Sequence, residues 1–135
     1  MLRQAYQASQ VFIRTMSTSR KPGVASPAEI AAFLIAHPAA VVVDARDPSS
    51  AEPSATLGPL PPSASRPRAI SAPIDRATGV LDLQRIPAGS AVITHCGGGG
   101  RGQKAREFLL KNNFKNVING GGPEDAECWA IFGHL

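Results

Sequence analysis

Residues 91–102 read AVITHCGGGGRG, a short apolar segment followed by His95, Cys96, four glycines and Arg101. A short apolar run that ends in turn residues is typical of a strand covered on both faces. Beyond it, apolar residues recur at the spacing of one helix face, at Ala105, Phe108 and Leu109. The stretch therefore predicts a strand, a glycine-rich loop and a helix in direct succession.

The rest of the chain alternates in the same way. Short apolar runs predict further strands at 41–43, 69–72 and 114–118. Ser26-Pro27 starts a helical pattern that ends near His37, and Pro123 opens a last helix. Strands that alternate with helices predict an α/β fold, an open and mostly parallel sheet of about five short strands with helices on both faces. In such a sheet the ligand site lies beyond the carboxyl ends of the strands, where Cys96 falls.

Length and composition predict one globular domain. The chain has 135 residues, with 43% hydrophobic and 18% charged residues. We assign the domain to residues 26–135 and expect a loop over the proline- and serine-rich residues 48–68. No apolar run approaches the roughly 20 residues that cross a bilayer, so we expect no membrane partner.

The positive charge is concentrated at the N-terminus. Four of the 14 lysines and arginines lie in residues 1–28, which hold no acidic residue, and the other ten balance the ten acidic residues. A neutral domain argues against a nucleic-acid partner. Residues 1–25 resemble a targeting segment in their arginine- and serine-rich, acid-free composition, which predicts a mitochondrial location. A plastid location, or a disordered basic tail on a cytoplasmic protein, stays open.

The two cysteines, Cys96 and Cys128, are too few for a secreted disulfide framework. They do not form a CxxC pair, and the three histidines do not fall at zinc-finger spacing. We therefore expect no metal site and free thiols in a reducing compartment.

The glycine-rich loop that follows the predicted strand at 91–94 suits an anion. Glycines let successive N–H groups turn inward to form a nest at a helix N-terminus. A cysteine at the lip of such a nest is favoured as its reactive thiolate, and Arg101 adds a fixed positive charge. A simple glycine turn with a buried cysteine remains an alternative. So does a phosphate loop, although the Gly-Lys-Ser/Thr ending is missing.

At this point the sequence resembles the rhodanese family over about residues 26–133. The match covers, in order, Val41 to Asp47, Ile70 to Ile74, the Cys96 loop, the helix Gln103 to Lys111, Phe114 to Val117, and a Gly-Gly turn before the helix that bears Trp129. Two features depart from the family. Its usual His-Ile-Pro-Gly-Ala stretch is replaced by the proline- and serine-rich segment, and the loop carries glycines where polar side chains are common.

The resemblance implies a rhodanese-like fold and a thiosulfate sulfurtransferase. Cys96 would carry a persulfide, Arg101 would bind the anion, and the loop backbone would bind substrate through Gly97, Gly98, Gly99, Gly100 and Gly102. Thiosulfate or a persulfide would donate sulfur to cyanide, glutathione, thioredoxin or another thiol, without a cofactor. A persulfide carrier and a cysteine phosphatase remain alternatives. The phosphatase loop is Cys-x5-Arg, whereas this one is Cys-x4-Arg.

Several residues are candidates for a supporting role. We expect Asp44 and Arg46 to form a structural pair near the site. His95 either packs against and hydrogen-bonds the backbone or serves as a base, and Lys104 either attracts anions or is a solvated surface residue. For Cys128 the alternatives are a resolving thiol and a packed cysteine beside Trp129.

Overall fold

The computed structural model describes residues 20–48, 60–61 and 63–135. Residues 1–19 of the predicted targeting segment, and most of the proline- and serine-rich segment, lie outside these ranges. The described elements in chain order are helix α1 (Pro27–Ala36), strand β1 (Val41–Asp44), strand β2 (Ala69–Ser71), a 3-10 helix (Leu83–Arg85), strand β3 (Val92–His95), helix α2 (Gly100–Lys111), strand β4 (Val117–Asn119) and helix α3 (Ala126–Phe132).

The sheet has the order β2-β1-β3-β4, and all three neighbouring pairs are parallel. The predicted α/β class and parallel sheet are confirmed. The expected number of about five strands is wrong for the described residues, which form four. Between β2 and β3 the chain makes turns around Gly79 and the 3-10 helix in place of a further strand.

Helices cover both faces of the sheet. Val43 and Val92 point into a buried cluster with Ala105 and Leu109 of α2. The neighbouring residues on the same strands, Val42 and Ile93, point to the opposite face of the sheet. There they form a second buried cluster with residues of α1 and α3, namely Ile30, Phe132 and Cys128. Burial on both faces explains the uninterrupted apolar runs, because each buried valine or isoleucine stabilises the fold by about 1.5–3 kcal/mol.

The helices begin in different ways. In α1, Ser26 and Glu29 form a reciprocal capping box, and Pro27 occupies the first turn. In contrast, α2 follows Gly99, which has φ +119° and makes no side-chain capping bond. The first N–H groups of α2 therefore have no side-chain cap.

Chain packing extends to the N-terminal side of residue 26. Val24 pairs with Asn119 at the end of β4, and the Ala25 N–H donates to the Asn119 oxygen at 2.8 Å. Arg20 Nε lies 2.8 Å from Asp125 Oδ2. Residues 20–25 thus belong to the packed structure. In the part of the chain that the structure describes, no helix combines the length and apolar character needed to cross a bilayer.

Candidate functional site

Cys96 lies at the carboxyl end of β3, where two glycine loops meet. Its N–H donates to the Gly121 oxygen at 3.0 Å in the turn that follows β4. Gly122 has φ +151°, and a methyl group there would overlap the carbonyl oxygens of Cys96 and Gly97. Only glycine allows the two backbones to approach this closely.

Asn119, which the sequence analysis did not single out, joins the two loops. Its side chain is 1% exposed. Its Nδ2 donates to the Gly99 oxygen at 2.9 Å, and its Oδ1 accepts the Gly121 N–H at 3.0 Å. The sequence gives little indication of this role. One of the two partners of Asn119, Gly99, lies 20 residues away in the chain, so no local pattern connects them.

The Cys96 sulfur is held by the loop that follows it. Cys96 is 3% exposed, and its Sγ accepts the Gly99 N–H at 3.1 Å. The sulfur therefore lies at a helix N-terminus with a backbone N–H directed at it, an arrangement that can hold an anionic sulfur group.

The sulfur opens onto a cavity of about 410 Å³. Four cationic side chains and one carboxylate line it together with the loop, namely Lys21, Arg76, Arg101, Lys104 and Glu124. The lining also includes Gly97, Gly98 and Gly100, but not Gly99 or Gly102. An excess of cationic groups around a cavity attracts anions to it.

The glycines of the loop have different surroundings. A methyl group on Gly98 would collide with the Glu124 carboxylate and lie 2.9 Å from Lys21 Nζ, whereas one on Gly100 would meet nothing within 4 Å. Gly102 is packed against β3, since a methyl group there would lie 3.0 Å from the His95 Cα. Gly102 therefore packs α2 against β3 and does not line the cavity.

The predicted cationic residues lie at the cavity, whereas the predicted ion pair of Asp44 and Arg46 does not. Arg101 and Lys104 both line the cavity, and the Lys104 Nζ donates to the Arg76 oxygen at 3.4 Å. Asp44 and Arg46 are fully buried, and Arg46 Nη2 lies 2.7 Å from Asp44 Oδ2. The pair lies at the end of β1 and does not line the cavity.

The buried carboxylate of Asp44 remains ionised. Burial by itself raises the pKa of this carboxyl, but the hydrogen bonds and charge of Arg46 outweigh that effect and hold the pKa below its ordinary value. Arg46 donates to both carboxylate oxygens and also through its backbone N–H, at 3.0 Å to Oδ1. Asp44 thus provides a fixed negative charge next to the site.

A second arginine, Arg66, reaches the same carboxylate from the proline- and serine-rich segment. It is 2% exposed, and its Nη1 donates to Asp44 Oδ2 at 3.0 Å. Its guanidinium lies over Trp129, with 4.9 Å between the central carbon and the ring centroid. From the sequence we expect only a loop here. The available signal was two arginines, Arg66 and Arg68, within a stretch made mostly of proline, serine and alanine.

His95 is fully buried between this cluster and the Cys96 loop. Its Nδ1 lies 2.9 Å from the Cys96 carbonyl oxygen, and its Nε2 lies 2.6 Å from Arg66 Nη2. Burial lowers the pKa of His95 to about 4, so the ring is neutral near pH 7. With both nitrogens engaged, the ring holds the backbone, which is one of the two roles that the sequence predicts.

Cys128 has the properties of a packed thiol. It is fully buried in α3, and its Sγ donates to the Ala25 oxygen at 3.4 Å. Burial raises the pKa of this thiol to about 11, which keeps it protonated. These surroundings favour the structural alternative over a resolving thiol.

Among the residues that the structure describes, no group of three or more histidine, cysteine or carboxylate side chains is arranged to hold a metal ion. Comparison of the chain with protein-family models, with curated proteins and with solved structures returned no match.

Proposed function

We propose that this protein is a single-domain sulfurtransferase of the rhodanese type, which moves a sulfane sulfur through a persulfide on Cys96. One observation carries the proposal. The Cys96 sulfur accepts a backbone N–H at 3.1 Å and faces a cavity lined by Lys21, Arg101 and Lys104. Such a site provides a stabilised thiolate together with attraction for an anionic donor.

In the first half-reaction the Cys96 thiolate attacks the outer sulfur of thiosulfate. A bond forms between the two sulfurs, and the sulfur–sulfur bond of thiosulfate breaks. The bonding electrons leave with sulfite, and the persulfide on Cys96 carries the negative charge. Arg101 has the fork geometry to hold the sulfonate oxygens of the donor during this step.

In the second half-reaction a nucleophile takes the outer sulfur of the persulfide. Cyanide or a thiolate forms a bond to that sulfur, and the electrons of the broken sulfur–sulfur bond return to Cys96 as thiolate. The Gly99 N–H that donates to the Cys96 sulfur would also stabilise the persulfide anion. Neither half-reaction needs a metal or an organic cofactor. Glutathione and thioredoxin are acceptors of suitable chemistry.

Mass spectrometry of the intact protein tests the proposal. After incubation with thiosulfate and removal of excess reagent, the wild-type chain should gain the mass of one sulfur, and cyanide should remove it with release of thiocyanate. Cys96→Ser should gain nothing. Cys128→Ser is the matched control and should behave as the wild type does.

Other outcomes separate the alternatives. A persulfide that forms on Cys96 but is not discharged by cyanide or small thiols would support a carrier that serves a partner protein. Hydrolysis of an aryl phosphate that is lost in Cys96→Ser would support a phosphatase. Absence of a mass gain with both thiosulfate and glutathione persulfide would contradict the proposal. A fluorescent fusion of residues 1–25 tests the proposed mitochondrial targeting.

A further inference from the structure

We propose that Arg66 is a positioning residue for the Cys96 nucleophile, because it fixes the proton of His95 on Nδ1 and so fixes the backbone of Cys96. The consequence for sulfur transfer rests on the proposed function. The structural part of the inference is independent of that function. It concerns a series of hydrogen bonds that connects the proline- and serine-rich segment to the Cys96 loop.

The first link is the guanidinium fork of Arg66. Nη1 donates to Asp44 Oδ2 at 3.0 Å, and Nη2 lies 2.6 Å from His95 Nε2. Arg46 holds Asp44 from the other side. All four side chains are at most 2% exposed, so water does not compete for these bonds. Two separate partners and the ring of Trp129 thereby fix the orientation of the guanidinium.

The second link is the tautomer of His95. A guanidinium has donors and no acceptor, so the His95 Nε2 that faces it must accept. A neutral ring that accepts at Nε2 carries its proton on Nδ1, and that N–H points at the Cys96 carbonyl oxygen 2.9 Å away. In the other tautomer, Nδ1 and the carbonyl oxygen would present lone pairs to each other.

The third link is the backbone of Cys96. Its carbonyl is held by His95, its N–H by the Gly121 oxygen at 3.0 Å and its sulfur by the Gly99 N–H at 3.1 Å. Loss of the carbonyl bond releases one of these three restraints at the residue that must attack. An error of about 1 Å in the position of a reacting group can lower a rate about 100-fold.

Arg68 provides a matched control on the same segment. It lies two residues from Arg66 and donates through Nη2 to the Pro38 oxygen at 2.8 Å and to the Ala40 oxygen. These contacts attach the segment to the turn that follows α1. Arg68→Met therefore weakens the attachment of the segment and leaves the Arg66–His95 contact in place.

Two measurements on the full chain test the inference without reference to sulfur transfer. Long-range ¹H–¹⁵N NMR of the histidine rings reports which nitrogen of His95 bears the proton. The rate of alkylation of Cys96 by neutral iodoacetamide, localised by peptide mass spectrometry, reports its reactivity. We expect the wild type to show the Nδ1–H form, and Arg66→Met to lose it and to be alkylated at Cys96 at a rate that differs several-fold from that of the wild type, because Cys96 is 3% exposed and one restraint on its backbone is released. Arg68→Met should match the wild type in both.

An Nε2–H tautomer in the wild type would overturn the inference, and this test needs no variant. A folded Arg66→Met protein that keeps the wild-type tautomer of His95 and the wild-type reactivity of Cys96 would also overturn the inference. So would an Arg68→Met protein that shows the same changes as Arg66→Met. If Arg66→Met fails to fold, Arg66→Lys replaces it, since an ammonium group cannot reproduce the two-armed fork. A protein that passes these tests but forms no persulfide would contradict the proposed function alone.

Discussion

Acidification from pH 7 to pH 4 should lower the free energy of unfolding by about 3 kcal/mol through His95 alone. The ring is fully buried, and burial lowers its pKa from the ordinary 6.5 to about 4. The charges around it have opposing effects. Asp44 raises the pKa of His95, while Arg66 and Arg46 lower it further.

The sign follows from proton binding in the two states. Between pH 6.5 and pH 4 the unfolded chain binds a proton at His95 and the folded chain does not, so stability decreases as the pH falls. The difference between pKa 6.5 and about 4 integrates to a loss of about 1.4 kcal/mol at pH 5.5 and about 3 kcal/mol at pH 4. The lowered pKa of Asp44 adds a further loss only at still lower pH.

Urea unfolding at a series of pH values measures this loss. Trp129 is the only tryptophan in the chain and lies edge-on to His95, with ring centroids 5.0 Å apart, so its fluorescence reports on this part of the core. His95→Phe is the control. It should be less stable than the wild type near pH 7, because Arg66 loses an acceptor, but it should lack the loss of stability that His95 causes between pH 6.5 and pH 4.5.

Two results would refute this reasoning. One is a wild-type midpoint that is as constant with pH as that of His95→Phe. The other is an NMR titration in which the His95 ring of the folded protein protonates near its ordinary pKa of 6.5. Either result would mean that the ring is solvated, and the proposed neutral contact with the Cys96 carbonyl would fail with it.

Glu124→Gln removes the one carboxylate among the described residues that line the cavity, so persulfide formation from thiosulfate should accelerate, up to about tenfold at low ionic strength. The exposed Glu107→Gln is its control, and equal rates in all three proteins would contradict the expectation. Gly122→Ala should cost at least about 2 kcal/mol in urea unfolding, because its methyl overlaps two carbonyl oxygens, whereas Gly100→Ala should be neutral or stabilising. Cys128→Ser should lower stability by about 1 kcal/mol in thermal unfolding and leave persulfide formation unchanged; a loss of turnover would assign this thiol a chemical role.

The sequence predicts the central strands well because burial on both faces leaves an uninterrupted apolar run. Residues 41–43 and 91–94 correspond to β1 and β3 within one residue at each end. The strand predicted at 114–118 begins only at Val117. The Phe114 N–H donates to the Leu109 oxygen at 3.1 Å, and Asn113 has φ +71°, so this apolar residue completes the end of α2. The hydrophobic pattern alone does not show whether a phenylalanine at this point starts a strand or packs at the end of the preceding helix.

The site is predictable only where its contacts are local. Gly99, whose N–H holds the Cys96 sulfur, lies three residues from Cys96, and Arg46 lies two residues from Asp44. Arg66 reaches Asp44 across 22 residues and His95 across 29. Composition places such an arginine in a proline-rich loop, and no local pattern identifies its buried partners.

The buried groups at the strand ends nevertheless favour a further hydrogen-bond donor beside them. A buried carboxylate at the end of β1 binds Arg46 and still offers a lone pair on Oδ2, and a buried neutral His95 presents a second acceptor 3.6 Å from the same oxygen. Two adjacent buried acceptors would each cost about 1–3 kcal/mol if left unpaired. A planar fork satisfies both with one side chain, which a lysine cannot do. Arg66 therefore satisfies the buried acceptors at the ends of β1 and β3. Through His95 it also connects the proline- and serine-rich segment to the backbone of Cys96.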